Sequence, residues 1–146
     1  MNIHTEPQPP INKRSASREL VFQSIYTAHL SSEPVMKVYE DVVQDRKHDR
    51  SYAKKLLCLY DQHIDELNQA LKGKINTLKA STLSEVERSI VLMATIEILY
   101  MPNVPSKVCI NEAIILAKNY GAPGGYRLVN GILDQVTKAY RSQASS

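Results

Sequence analysis

The sequence predicts an all-helical fold, and three observations predict it. No stretch alternates apolar and polar residues with period two over a strand's length, whereas apolar residues recur every three to four positions along most of the chain. Glycine (5) and proline (7) are sparse, and from Pro34 on all but Gly131 fall at the joints between the periodic stretches. One stretch, Val86 to Leu99, is apolar almost all round, as a helix buried at the centre of a bundle must be.

Residues 1–12 read as a disordered arm, because Pro7, Pro9 and Pro10 remove backbone donors and resist helix. A first helix is predicted from Ser15 to about Leu30. Phe22, Ile25, Tyr26 and His29 recur at helical spacing, Ser15 or Ser17 supplies the cap, and His29 is expected on the inner side. Pro34 closes the segment, since the residue before a proline avoids the helical region. A shorter helix follows over 34–44, with Val35, Val38, Tyr39 and Val42 on one stripe. The run DRKHD, Asp45 to Asp49, is a charged connector.

A long third helix is predicted over 50–71, capped by Asp49, with Tyr52, Leu56, Leu57, Tyr60, Ile64, Leu67 and Leu71 as its apolar stripe. Residues 72–82 read as a connector. Ser84-Glu85-Val86-Glu87 is a capping box: the Ser84 hydroxyl takes the Glu87 amide while the Glu87 carboxylate reaches back to the Ser84 amide. It opens the central helix, which ends near Tyr100. Pro105 suits the first position of a fifth helix carrying Cys109, Ala113, Leu116, Ala117 and Tyr120, with Lys118 in its last turn and Gly121 after it. A last helix runs from Gly125 or Tyr126 to about Tyr140, and residues 142–146 are expected to fray. Short connections favour antiparallel neighbours.

Composition excludes several classes. The chain of 146 residues suits one domain, or two small bundles sharing a core. Cys58 and Cys109 make neither a disulfide framework nor a metal-ligand spacing, and both are expected buried and inert. The four histidines form no paired-ligand pattern, and Asp61, Asp65 and Glu66 read as a solvated helix face. Gly121, Gly124 and Gly125 follow no strand, so a dinucleotide loop does not fit. No enzyme activity, metal or cofactor is expected. No apolar run approaches the roughly 18 residues that cross a bilayer, and MNIHTEPQPP lacks the apolar core of a secretory leader. A cytoplasmic protein is the expectation.

Charge is distributed unevenly. Residues 1–30 carry three bases and two acids, residues 31–104 ten and eleven, and residues 105–146 five and two. The ends are therefore basic, which allows contact with a polyanion. Lys13-Arg14-Ser15-Ala16-Ser17-Arg18 puts three cations at a helix entry, against the macrodipole. Tyr126-Arg127 opens the last helix, where free amides favour phosphate and a ring offers a stacking platform. Asn130 and Gly131 sit poorly in a helix interior, and a structural role is favoured for both, Asn130 bonding a neighbouring backbone.

Several segments resemble one family in order along residues 14–137. SRELVFQSIYTAHLS is similar to its first-helix pattern, LSEVERSIVLMATIEI to its central-helix pattern, VPSKVCINEAIILAKNYG to V-P-x-x-V-x-I-N-E-A, then L-A-K and an aromatic-Gly pair, and LVNGILDQV to F-V-N-G-V-L-D. Asp49, Tyr52, Leu56 and Leu57 echo a weaker pattern. These are the patterns of the NusB family of bacterial transcription antitermination factors.

The resemblance implies two packed three-helix bundles. It implies binding of the boxA segment of nascent RNA as a heterodimer with ribosomal protein NusE, alongside other Nus factors and RNA polymerase, to suppress premature termination, notably on ribosomal RNA operons. It implies neither catalysis nor a cofactor. By position it assigns RNA contact to Lys13, Arg14, Arg18, Lys118, Tyr126, Arg127 and Leu128, and protein-partner contact to Glu85, Glu87 and Arg88. The family's arginine-rich start is thinned by Ser15 and Ser17, and Leu128 stands where an aromatic is usual, so Tyr126 is expected to supply the stacking ring. The alternative is a protein-interaction module or homodimer with weakened RNA binding. A methyltransferase fragment is disfavoured, because the chain carries no glycine loop of the required context.

Overall fold

The structure is a computed structural model, and it describes residues 12–77 and 83–141. The expected arm, part of the 72–82 connector and the expected frayed tail lie outside the described residues. Six helices form among those described: α1 (Lys13–Ser31), α2 (Val35–Val43), α3 (Arg50–Thr77), α4 (Glu85–Tyr100), α5 (Ser106–Tyr120) and α6 (Gly125–Tyr140). No strand occurs among these residues.

The helices group as two triangles. α1, α2 and α3 pack on one another, and so do α4, α5 and α6. α4 also packs on α1 and α3, and α3 touches α6, so one seam joins the two bundles into a single core. The reason is visible in α4: every residue from Ser89 to Ile98 is buried, so the helix has no face left for water. Leu20 and Ile25 of α1, Leu56 and Leu57 of α3, Ile90, Met93 and Ile96 of α4, and Ile132 of α6 are each at most 1% exposed.

Helix directions follow from paired contacts. Arg18 meets Glu97 and His29 meets Glu85, so α1 and α4 are antiparallel. The Glu87 carboxylate lies against Gly125, while Arg141 reaches the carbonyls of Glu97 and Ile98, so α4 and α6 are parallel. α5 runs back between their ends.

The capping box forms as the sequence predicts. The Glu87 amide donates to Ser84 Oγ at 3.1 Å, and the Ser84 amide donates to Glu87 Oε1 at 2.9 Å. Asp49 caps α3 through the Tyr52 amide at 3.0 Å.

Five expectations are corrected. The cap of α1 is Asn12, whose Oδ1 accepts from the Ser15 amide at 2.8 Å, so neither serine serves. Ser17 instead faces inward; its hydroxyl donates to the Asp49 carbonyl at 2.6 Å and accepts from the Asp49 amide at 2.9 Å. α3 continues past Leu71 to Thr77, with a break in helical geometry at His63 (φ −124°, ψ 18°), whose ring stacks on Tyr100 at 4.0 Å. His29 is exposed and pairs with Glu85 at 3.5 Å, because the last turn of α1 projects beyond the core. Cys58 is exposed on the outer side of α3, whereas Cys109 is buried; Pro105 stands just before α5 rather than in its first turn.

Candidate nucleic-acid interface

The first cluster lies where α1 begins. Lys13 and Arg14 are exposed. The Arg14 guanidinium sits over the Tyr52 ring at 4.3 Å, a cation–π contact that fixes an otherwise mobile side chain. With Asn12, Asn103, Val108 and Glu112 they border a groove of about 410 Å³ between α1 and the α4–α5 turn.

Arg18 does not join them at the surface. It is 3% exposed, and its Nε lies 2.9 Å from both carboxylate oxygens of Glu97, itself fully buried. Its Nη1 is 3.5 Å from Glu112 Oε1, and the Tyr52 hydroxyl donates to Glu97. Burial and the neighbouring Glu97 charge push the Tyr52 phenol far above its usual range, so it stays a donor. The guanidinium expected to meet the transcript thus holds an internal pair while bordering the same groove as Lys13 and Arg14. The physical reason is the helical period: residues 15, 18, 22 and 25 share the core-facing stripe of α1, and all are buried. Ser15 and Ser17 are buried too, so they remove nothing from the exposed basic surface.

The second cluster lies where α6 begins. Gly124 takes the left-handed region at φ 77°, turning the chain into the helix with no side-chain cap. Lys118 Nζ stands 4.7 Å from the centre of the Tyr126 ring, and the Arg127 guanidinium stands 5.1 Å from it. Both cations are exposed and Tyr126 is half-buried. Leu128 is half-buried against the core. Asn130 is exposed one turn beyond Arg127 and makes no bond to a neighbouring backbone among the described residues, against the structural role expected for it.

Glu87 holds this turn from below. Besides closing the capping box, its Oε2 accepts from the Ala122 amide at 2.7 Å. A Cβ at Gly121 would lie 2.5 Å from that oxygen and one at Gly125 only 2.0 Å from it, so the carboxylate occupies the space that two missing side chains leave. Glu87 is 2% exposed. The carboxylate, expected at the partner surface, is turned inward and accepts from two amides. Glu85 and Arg88 do face outward. With His29, Tyr60, Ile64 and Asn68 they border a cleft of about 190 Å³, where Arg88 Nη2 donates to Asn68 Oδ1 at 3.4 Å.

The clusters sit at opposite ends of α4, the first beside Glu97 and the second beside Glu87. Ten residues of helix separate those positions by about 15 Å along the axis. The structure thus unites Lys13 with Arg14, and Lys118 with Tyr126 and Arg127, without merging the two sets. α5 spans them. Its outer stripe carries Val108 (39% exposed) and Ile115 (38%) between the first groove and Lys118.

Arg141 escaped the sequence reading. Its guanidinium donates to the carbonyls of Ile98, Val104, Glu97 and Met101 at 2.6–2.9 Å, closing the carboxyl end of α4 and the turn after it. Its partners lie about forty residues away in sequence, so no local pattern announces the role. No helix among the described residues is long and apolar enough to cross a membrane.

A family model for the NusB family matches residues 15–138. The transcription antitermination protein NusB of Nitrosococcus oceani is 38% identical over 133 residues, covering 90% of this chain and 89% of that protein. That of Methylobacillus flagellatus is 33% identical over 140 residues, covering 93% and 90%. Among solved structures, NusB of T. maritima superposes with a TM-score of 0.80 at 25% identity, covering 94% of this chain and 96% of that one. A structure of antitermination factors NusB and NusE in complex with double-stranded RNA shares the fold, with a TM-score of 0.76 at 23% identity over 86% of this chain and 96% of that one. Matched from the first turn of α1 to the last of α6, the chain belongs to the NusB family.

Proposed function

We propose that this chain is a transcription antitermination factor. It binds the boxA segment of nascent, single-stranded RNA as a heterodimer with ribosomal protein NusE, and joins other Nus factors and RNA polymerase to suppress premature termination, notably on ribosomal RNA operons. The observation that carries the reading is the pair of exposed cations, Lys118 and Arg127, set around the Tyr126 ring at an uncapped helix start in a chain of this family. Cations hold phosphates, free amides add to them, and an aromatic ring takes a base.

In this reading Lys13, Arg14, Lys118 and Arg127 contact the backbone and Tyr126 stacks. Leu128 anchors the start of α6 to the core, and Arg18 positions the start of α1 rather than touching RNA. The cleft beside Glu85 and Arg88 receives the protein partner. The role is binding rather than catalysis. Support for that comes from Glu19, Glu87 and Glu97, whose carboxylates hold internal partners, and from Cys109, whose thiol burial and the Glu97 charge push up to about 12. Work on a nascent bacterial transcript is cytoplasmic.

Four phosphate contacts give a salt slope of about 3, at roughly 0.7 per contact on single strands. Binding by this chain alone is then weak at physiological salt, and NusE supplies the rest by extending the surface. The test is a titration of boxA RNA with and without NusE at two salt concentrations. The expected result is weak, salt-steep binding alone and tighter binding with NusE. No binding in either case would instead favour the protein-interaction or homodimer reading.

A further inference from the structure

We infer that the connector between α2 and α3 is a second transcript-contacting surface, one that takes the RNA backbone beyond the boxA segment; this rests on the RNA-binding reading above. The connector borders an open groove of about 500 Å³ in which Lys13, Arg46, Lys47, His48 and Arg50 stand with Gln44 and Asp45. Lys13 also borders the groove at the start of α1. Lys13 therefore borders both grooves, which flank the amino end of α1.

The backbone that presents these charges is fixed. Ser17 of α1 clasps both backbone groups of Asp49, and the Asp49 amide also lies 3.2 Å from the Lys13 carbonyl. His48 Nδ1 lies 2.8 Å from the Arg46 carbonyl and its Nε2 lies 2.7 Å from the Tyr39 hydroxyl. A carbonyl only accepts, so Nδ1 carries a proton and donates to it. Gln44 turns the chain at φ 45°. A preorganised cationic edge loses little freedom when a chain of phosphates settles on it.

The charges are not all neutralised by neighbours. Arg46 is tied to Glu19 at 3.0 Å and Arg50 is 3.9 Å from Glu40. Lys13 and Lys47 have no acidic partner among the described residues. Asp49 is spent on the α3 cap, which leaves Asp45 as the acid facing the groove. Arg50 also opens α3, where the macrodipole disfavours a cation. Several cations around one open groove of this size match the repeating charge of a nucleic-acid strand rather than a single small anion.

The experiment compares two RNAs, boxA alone and boxA extended by about ten unstructured nucleotides on either side, binding to the complex with NusE. The proteins are the wild type, Lys47→Glu, and Lys47→Glu with Arg50→Glu, each checked by thermal melting. The expected result is that extension tightens wild-type binding several-fold. Lys47→Glu removes part of that gain and the double change removes it all, while affinity for short boxA stays within about twofold. The salt slope on the long RNA falls by roughly 0.7 for each phosphate that the variant no longer holds. Short RNA binding with no gain from extension, or a gain that survives both changes, overturns this inference alone. Failure of the wild-type complex to bind either RNA overturns it together with the antitermination reading.

Discussion

The strongest test of the α6 turn is a double-mutant cycle between Glu87 and Gly125. Glu87→Ala removes the acceptor of two part-buried amides, those of Ser84 (2.9 Å) and Ala122 (2.7 Å). A hydrogen bond from a partly shielded amide to an ionised acceptor is worth about 1–3 kcal/mol, so the single change should cost about 2–6 kcal/mol. In a chain of this size each 1 kcal/mol moves Tm by about 4 °C, which gives a fall of about 8–24 °C. Gly125→Ala should cost a comparable amount for a different reason. Its Cβ would stand 2.0 Å from Oε2 and 2.7 Å from Cδ of Glu87, so the carboxylate must leave both amides. The three atoms nearest that Cβ all belong to the Glu87 side chain, so Glu87→Ala clears the space. In that background Gly125→Ala should be neutral, or stabilising by up to about 1 kcal/mol through helix propensity. Gly121→Ala should stay costly there, because the Ala117 carbonyl also crowds its Cβ at 2.7 Å. Urea unfolding of the four proteins measures the coupling. Additive effects would refute the packing argument. A Glu87→Ala protein of normal Tm but reduced NusE affinity would return that carboxylate to the partner surface.

Three further outcomes are expected. Arg18→Met leaves Glu97 buried without its cation and should cost about 3–5 kcal/mol, whereas Arg14→Ala should cost under about 1 kcal/mol and weaken RNA binding instead; urea melts and RNA titrations separate the two, and a stable Arg18→Met protein that has lost RNA affinity would move Arg18 to the surface. Cys109 keeps its proton in the fold up to about 12 while the unfolded chain releases it from near 9. The unfolded state then binds fewer protons, so stability falls with rising pH above about 9, by up to about 1.4 kcal/mol per unit. Cys109→Ala should flatten that slope whatever it does to the neutral-pH value, and an unchanged slope counts against the buried thiol. Tyr126→Ala should weaken boxA binding about 5- to 150-fold, the worth of one stacked base; equal affinities would remove the ring from the interface.

Local chemistry was legible in the sequence and distant chemistry was not. The Ser84–Glu87 box lies within one turn, so its residues announce it. The buried α4 is legible for the same reason, since its polar face is missing from the sequence itself. Arg18 looked like one of three entry cations because its partners, Glu97 and Glu112, are 79 and 94 residues away. The signal was nonetheless present: Arg18 occupies the stripe of Phe22 and Ile25, where a cation must find a buried acid. Glu87 likewise showed its local bond and hid its distant one to Ala122. Gly121 and Gly125 read as turn residues, but their requirement comes from a carboxylate on another helix. The cap of α1 was misplaced because Asn12, Ser15 and Ser17 all suit the position by type, and only the inward turn of Ser17 onto the α2–α3 connector decides among them.

The buried ion pair also explains how an exposed arginine can be held in place. Tyr52 carries Arg14 on its ring and gives its hydroxyl to Glu97, whose two oxygens also take Arg18 Nε. Tyr52 and Arg18 belong to the first bundle, Glu97 and Glu112 to the second. The surface cation is thus fixed through the seam between the bundles, and any slip of one against the other displaces it. A dry hydrophobic seam of the same volume would serve stability as well or better. It would not tie the position of Arg14 to the register of both bundles. Charge reversal to probe RNA contact is accordingly informative at Arg14 and Arg127, which are exposed. At Arg18 the same change reports on the seam, because it loads a second negative charge beside Glu97 at a site that is 3% exposed.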